Sequence, residues 1–470
     1  MERVYGIETE YGLAARASSG RLSPSEAAGW LFRPIERKHR SSNAFLANGG
    51  RLYLDVGAHP EYATPECRRL ADLLVAERAG DEIMVRLAAA AATAASAEGT
   101  EVSFRLFKNN VDSLGNSYGS HENYLVARDL ELSGAADALT AFLVTRQILC
   151  GAGRWHRGEF LISQRADHLH DQLSATTTRA RPLINTRDEP LADPSRFRRL
   201  HVLAGDSNLS EPSNLLKIGT TELVLRAVES DQVTAGHRFA ALRLSDPAEA
   251  LRRTARNPLA RLTLADGSTA TAVDVQRRYL DAVEPDPALA DVAAGWVRVL
   301  DALASGDPDA LAADVEWAAK RRLLADYRDR HRLSPQDPRL DQLDLAFHQL
   351  GGEAGRPSGL FRLLEARGAV NRITTPEAVQ HAVTEPPSDT RAAARSRFLL
   401  AAQRWSRDYA ADWMTFTVHD LPDTSGRPAP VRVSCPDPFE ASVSEVDELI
   451  ELMATRPRVR PTGSFTPPPV

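Results

Sequence analysis

The stretch RLYLDVGAHPEYATPE, residues 51–66, decides how this chain is read. Arg51 to Val56 alternates like a half-buried strand, with Leu52, Leu54 and Val56 on one face. The other face carries Arg51, Tyr53 and Asp55. Aspartate is depleted in strands, so its place there asks for a chemical reason. Pro60 is expected to close the strand, with Glu61 just past its end. A second acidic strand comes earlier. In GIETEYG, residues 6–12, Glu8 and Glu10 stand two apart, which puts both carboxylates on one face. Taken alone, either pattern describes the wet face of an edge strand. Together they predict two paired strands presenting one acidic bowl, suited to a hard cation such as Mg²⁺ with nucleotide phosphates.

Two further stretches bear on that bowl. KNNVDSLGNSYGSHENY (108–124) is dense in Asn, Gly, Ser and His. Its glycines let backbone N–H groups approach phosphate, and His121 could meet metal or phosphate; an ordinary turn with a packed histidine fits equally well. The segments 174–190 and 197–208 supply Arg179, Arg181, Arg187, Arg198, Arg199 and His201. Arginine is the usual partner of phosphates and carboxylates, though for any single one a surface salt bridge is the commoner role. No Walker A, GxGxxG or HExxH motif occurs, so P-loop, Rossmann and zincin chemistry has no support.

Composition narrows the classes. With 43% hydrophobic and 26% charged residues over 470 positions, the chain can build a large domain and a smaller one. A net charge of −6 argues against general nucleic-acid binding. Cys67, Cys150 and Cys435 are odd in number and widely spaced, which suits a reducing compartment and no thiolate zinc site. MERVYGIETE lacks the apolar core of a secretory leader, and residues 87–97 are too short and weakly apolar to span a bilayer. A cytoplasmic protein with no membrane contact is the expectation.

Along the chain, strand patterns share the first half with a long helix over 68–99 and a buried helix in ALTAFLVTRQILCGAG. Residues 270–366 read as helical, with Trp296 and Trp317 in the core. A proline-containing connection at 384–395 leads to a last segment with strands (DWMTFTVHD, PVRVSCPDPF) and a helix (SEVDELIELMA). The grouping predicts an α+β fold with a mostly antiparallel sheet. The domains expected are a catalytic one at 1–400, a small C-terminal one at 401–455, and a disordered tail at 456–470.

GIETEYG, SSNAFLANGGRLYLDVGAHPEYATPEC, LFKNNVDSLGNSYGSHENYLV, FLVTRQILCGAG, TTTRARPLINTRDEPLAD and RRLHVLAGDSN together strongly resemble the Pup ligase family of actinobacteria. The likeness runs almost end to end, through ADWMTFTV and DPFEASVSEVDELI. It implies a glutamine synthetase-like large domain, whose curved, mostly antiparallel sheet is packed by helices and cradles ATP and Mg²⁺, plus a small C-terminal domain. The implied reaction joins the γ-carboxylate of the C-terminal glutamate of Pup, a small disordered protein modifier, to lysines of diverse target proteins, through a γ-glutamyl phosphate. Carried over, Glu8, Tyr53 and Glu61 match magnesium positions, Arg51, Thr64 and Trp413 nucleotide contacts, and Asp55 the catalytic base. Glu10 and His121 resemble second-metal ligands of the wider superfamily. Ser120 stands where the family pattern has cysteine, a near-isosteric exchange.

Rival readings are a Pup deamidase and depupylase of the same fold, a small-molecule γ-glutamyl ligase, and a catalytically dead module that docks Pup. The deamidase pattern starts GTEVEYG, carries a His-Ala-His-Pro-Glu-Tyr run and adds a loop after the first strand. Here GIETEYG, DVGAHPEY and the short stretch from Gly12 to Arg51 follow the ligase. Retention of every acidic site residue argues against a dead module.

Overall fold

The computed structural model describes residues 2–39, 41–55, 57–175, 181–230, 239–351 and 359–459. Arg179 and most of the tail, 460–470, lie outside them. The two acidic strands share one eight-stranded sheet but do not pair as expected: each pairs instead with His59–Ala63, which lies between them. Its order is Asp171–Ser174, Pro182–Asn185, Phe197–Val202, Ser120–Ala127, Tyr5–Glu10, His59–Ala63, Arg51–Asp55, Ala44–Phe45. Every neighbour is antiparallel except the first pair. The fold is therefore α+β with a mostly antiparallel sheet, as the sequence predicts.

A second local expectation is corrected. Pro60 does not close the strand; it lies inside the second arm of a hairpin, His59–Ala63, opposite Leu54. The turn is made by Gly57 and Ala58, both with positive φ (90° and 64°). Proline is tolerated there because its missing N–H leaves one ladder position unpaired rather than breaking the strand. The Pro60 carbonyl keeps its place in the ladder, accepting the Tyr11 N–H at 2.8 Å.

The chain leaves this sheet at Tyr11 and enters a four-stranded one, ordered Gln349–Leu350, Val102–Phe107, Gly12–Ala17, Gly20–Arg21. The crossing needs glycine at position 12, where a Cβ would sit 2.6 Å from the Tyr118 hydroxyl. The helix Leu70–Ala97 lies behind the hairpin, its Gly80 so close to the Tyr62 ring that a Cβ would overlap it. Trp296 and Trp317 are buried in the main core with Phe142 and Val202. The predicted helix at ALTAFLVTRQILCGAG runs as Leu132–Thr145 and Gln147–Cys150, with Arg146 between them reaching Glu122.

A three-stranded sheet (Tyr409–Ala411, Thr415–Pro422, Pro428–Ser434) and the helix Ser444–Thr455 form a separate apolar cluster near the C-terminus. The helix Arg391–Arg404 spans position 400, and its Phe398, Leu399 and Ala402 belong to that cluster. Phe45, from the edge of the large sheet, joins it as well. Among the described residues no helix is long and apolar enough to cross a membrane. The three cysteines are buried and unpaired.

Candidate active site

Register places the polar residues. Tyr53, Glu61 and Glu10 fall in one row across three strands, since Tyr53 pairs with Glu61 and Glu61 with Glu10. Arg51, Ala63, Glu8 and His121 form the next row. The strand period of two turns these side chains to one face, while Ile7, Leu52 and Tyr62 enter the cores behind it.

Two groups of ligand atoms result, each within 4.8 Å of one another: Glu10, Asp55 and Glu61, and Glu8, His121 and His201. In the first, the Tyr53 hydroxyl donates to Glu61. Burial, followed by the charges of Glu8 and Glu10, pushes the Glu61 carboxyl well above its usual range. The Tyr53 phenol is likewise pushed well up, by burial and then by Glu8 and Glu61. Acids so crowded call for a cation among them. Glu10 also accepts the Gly119 N–H at 2.8 Å.

The second group surrounds Glu8. His121 Nδ1 and His201 Nε2 lie 3.3 and 3.5 Å from Oε2; Asn123 Nδ2 and Arg199 Nη1 lie 3.3 and 3.6 Å from Oε1. Burial alone would raise the Glu8 carboxyl, but His121, His201 and Arg199 hold it well below its usual range. Burial lowers His201 to about 4 against the pull of Glu8, so its imidazole is neutral at pH 7, the form that ligates metal. His201 Nε2 is buried with no hydrogen-bond partner. An orphaned imidazole nitrogen beside a carboxylate, and a neighbouring triad of acids, are donor sets that fit divalent ions.

Beyond Glu8 the same face opens into a mostly apolar cleft, lined by Ile7, Thr64, Leu125, Leu191, Trp413 and Pro438 among others. Thr64 lines it with its hydroxyl oxygen held at 3.1 Å by the Ile7 N–H, which leaves the hydroxyl proton free to donate. Trp413 comes from the C-terminal unit. Arg51 does not line this cleft: it bonds Asn43 at 2.7 Å and stacks 4.6 Å from the Tyr53 ring. Phe45 stands between, edge-on to Trp413 at 5.0 Å.

The residues expected from the sequence thus gather on one floor, with a changed grouping. Glu8, Tyr53 and Glu61 are contiguous, but Glu8 has two histidines as its partners and Asp55 stands with Glu10 and Glu61. His201 was legible only as one of a basic cluster. Its signal is the alternation in RRLH, which sets Arg199 and His201 on one strand face.

The Pup-ligase protein family matches residues 3–417. The Pup–protein ligase of Paenarthrobacter aurescens is 44% identical over 96% of this chain and 99% of that protein. The Pup–protein ligase of Gordonia bronchialis is 45% identical with the same coverage. Among solved structures, the complex between the prokaryotic ubiquitin-like protein Pup and its ligase PafA superposes with a TM-score of 0.86 at 41% identity, covering 96% of this chain and 92% of that one. The Pup ligase PafA in complex with ADP gives a TM-score of 0.80 at 42% identity, covering 92% and 94%.

Proposed function

This chain belongs to the Pup-ligase family, and from that membership and the acidic floor we propose that it is an ATP-dependent Pup–protein ligase. It joins the γ-carboxylate of Pup's C-terminal glutamate to lysine side chains of diverse target proteins. The observation that carries this reading is a floor bearing two carboxylate-containing ligand groups, one of which supplies Glu8 to the lining of the cleft that Thr64 and Trp413 share.

A carboxylate does not condense with an amine at neutral pH, so it must first be activated. Transfer of the γ-phosphoryl group to the carboxylate oxygen gives ADP and a γ-glutamyl phosphate. The lysine nitrogen then attacks the acyl carbon, the C–O bond to phosphate breaks, and an isopeptide bond and inorganic phosphate result. In this reading Tyr53 and Glu61 with Glu10, and Glu8 with His121 and His201, would hold Mg²⁺ at two positions. Bound Mg²⁺ supplies neutralisation of the charge that develops on the transferring phosphoryl group. Thr64 and Trp413 contact the nucleotide in the cleft, and Arg51 reaches it from the hairpin edge. The C-terminal unit closes the cleft through Trp413.

Asp55 takes the proton. Free lysine has a pKa near 10.4, so its ammonium must lose a proton before or as it attacks. The Asp55 carboxylate lies on the floor beside Glu10 and Glu61 and accepts that proton. Incubation with Pup, ATP and a candidate target, followed by mass spectrometry of the linkage, tests the reading. The expected outcome is a γ-glutamyl–lysine bond with one ADP released per bond. Removal of Pup from conjugates without bond formation would overturn it in favour of a deamidase.

A further inference from the structure

We propose that Glu66 is a positioning residue for the nucleotide, holding two segments that line the cleft, those of Leu191 and Trp413, through Arg391 and Arg395. The inference rests on the reading of Trp413 as a nucleotide contact.

Glu66 lies two residues beyond Thr64 and is 8% exposed, while Arg391 and Arg395 are 1% and 0% exposed. Its Oε1 accepts from Arg391 Nε and Nη2 at 3.0 and 2.8 Å and from Arg395 Nη2 at 2.6 Å; its Oε2 accepts from Arg395 Nη1 at 2.9 Å. The Thr390 hydroxyl adds a bond to the Glu66 carbonyl at 2.9 Å. Each guanidinium then reaches on to backbone carbonyls. Arg395 donates to Trp413 O at 2.9 Å and Gly49 O at 2.8 Å. Arg391 donates to Leu191 O at 2.8 Å and Cys435 O at 2.9 Å. Leu191 and Trp413 both line the cleft, one from the loop before Phe197 and one from the C-terminal unit. The Arg395 guanidinium also lies 4.9 Å from the Trp413 ring.

Stability alone does not account for this arrangement. A carboxylate with two guanidiniums carries a net positive charge out of water, and apolar residues of similar volume commonly do as well or better. What the pair of planar forks supplies is direction: each fixes several oxygens in one flat, rigid arrangement, which a lysine ammonium does not impose. The uncompensated positive charge also sits beside a cleft that would receive a polyanion. Burial opposes the charge on Glu66, yet Arg395 and then Arg391 bring its carboxyl down to about 2, so the clamp is fully charged at working pH.

Steady-state kinetics of the full chain with Pup and a target protein test this, using Glu66→Gln, Arg395→Lys and Trp413→Leu. We expect Glu66→Gln and Arg395→Lys each to raise KM for ATP about tenfold or more, with kcat within about threefold and KM for Pup unchanged. A merely stabilising role would shrink the active fraction, lowering kcat and leaving KM for ATP alone. If Glu66→Gln does not fold, Arg395→Lys decides, because it keeps both charges and only loses the fork. A folded Arg395→Lys protein with the parent KM for ATP overturns the clamp. Should Trp413→Leu raise KM for ATP while Arg395→Lys does not, only the clamp falls. Should Trp413→Leu keep the parent KM, the nucleotide role of Trp413 falls and the clamp with it.

Discussion

Glu8 and His121 face each other across adjacent antiparallel strands, with Oε2 3.3 Å from Nδ1, and His201 from the next strand approaches the same oxygen at 3.5 Å. This mixed oxygen–nitrogen group lies on the same floor as the all-oxygen group of Glu10, Asp55 and Glu61. Imidazole suits Mn²⁺ better than Mg²⁺, and carboxylate suits both. Replacing His201 by alanine should therefore weaken Mn²⁺ binding by at least the roughly 10–100-fold that losing a ligand's supporting contact costs. Calorimetric titration of the nucleotide-free protein with MnCl₂ measures this. Parent affinity in His201→Ala would remove it from the ligand set.

Asp55→Asn separates a base from a metal ligand. The amide keeps the shape but cannot take the lysine proton, so conjugation should fall about 10²–10⁴-fold. If Asp55 serves only as base, the same variant keeps the parent Mg²⁺ requirement and still forms ADP when Pup is present. A raised Mg²⁺ requirement with residual conjugation would instead assign Asp55 to the acidic group it shares with Glu10 and Glu61.

Behind the floor, Glu122 is fully buried and accepts from Arg146 at 2.7 and 2.8 Å and from the Tyr124 hydroxyl at 2.7 Å. Removing one partner of such a pair strands the other charge in the core, at about 3–5 kcal/mol. Glu122→Ala should lose that much in urea denaturation monitored by circular dichroism. A loss below about 1 kcal/mol would mean that Arg146 finds other acceptors, such as the Lys217 carbonyl it already meets at 3.1 Å.

Glu316 gives the chain a pH-dependent stability. Burial raises its carboxyl to about 7, against the Ser210 N–H and Asn208 that bond its Oε2. The unfolded carboxyl titrates near 4.3. The folded state thus holds its proton more tightly, and the resulting stability is full below about pH 4 and shrinks as pH rises toward 7. Above that, the charge is buried at a cost. Glu316→Gln should flatten the fall in unfolding free energy between about pH 4 and 7 and make the variant relatively more stable at the alkaline end. An identical slope in parent and variant would refute this.

Local patterns in the sequence determined which residues could share a face. Arg51, Tyr53 and Asp55, and Glu8 with Glu10, are spaced by the strand period, which each segment carries within itself. Turn chemistry was partly legible; Pro60 misleads because proline marks strand ends more often than strand interiors. The small C-terminal segment announced itself by its own strand and helix patterns. Only the tertiary structure decided which strands are neighbours, and through them who meets whom. His201 reaches Glu8 because the antiparallel register, set by burying Ile7, Tyr124 and Val202 behind the sheet, aligns three strands distant in sequence. Glu66 meets Arg391 across 325 residues for the same kind of reason. Residue periodicity is a short-range property of the backbone, whereas partnership is settled by the apolar faces that the whole chain must bury at once.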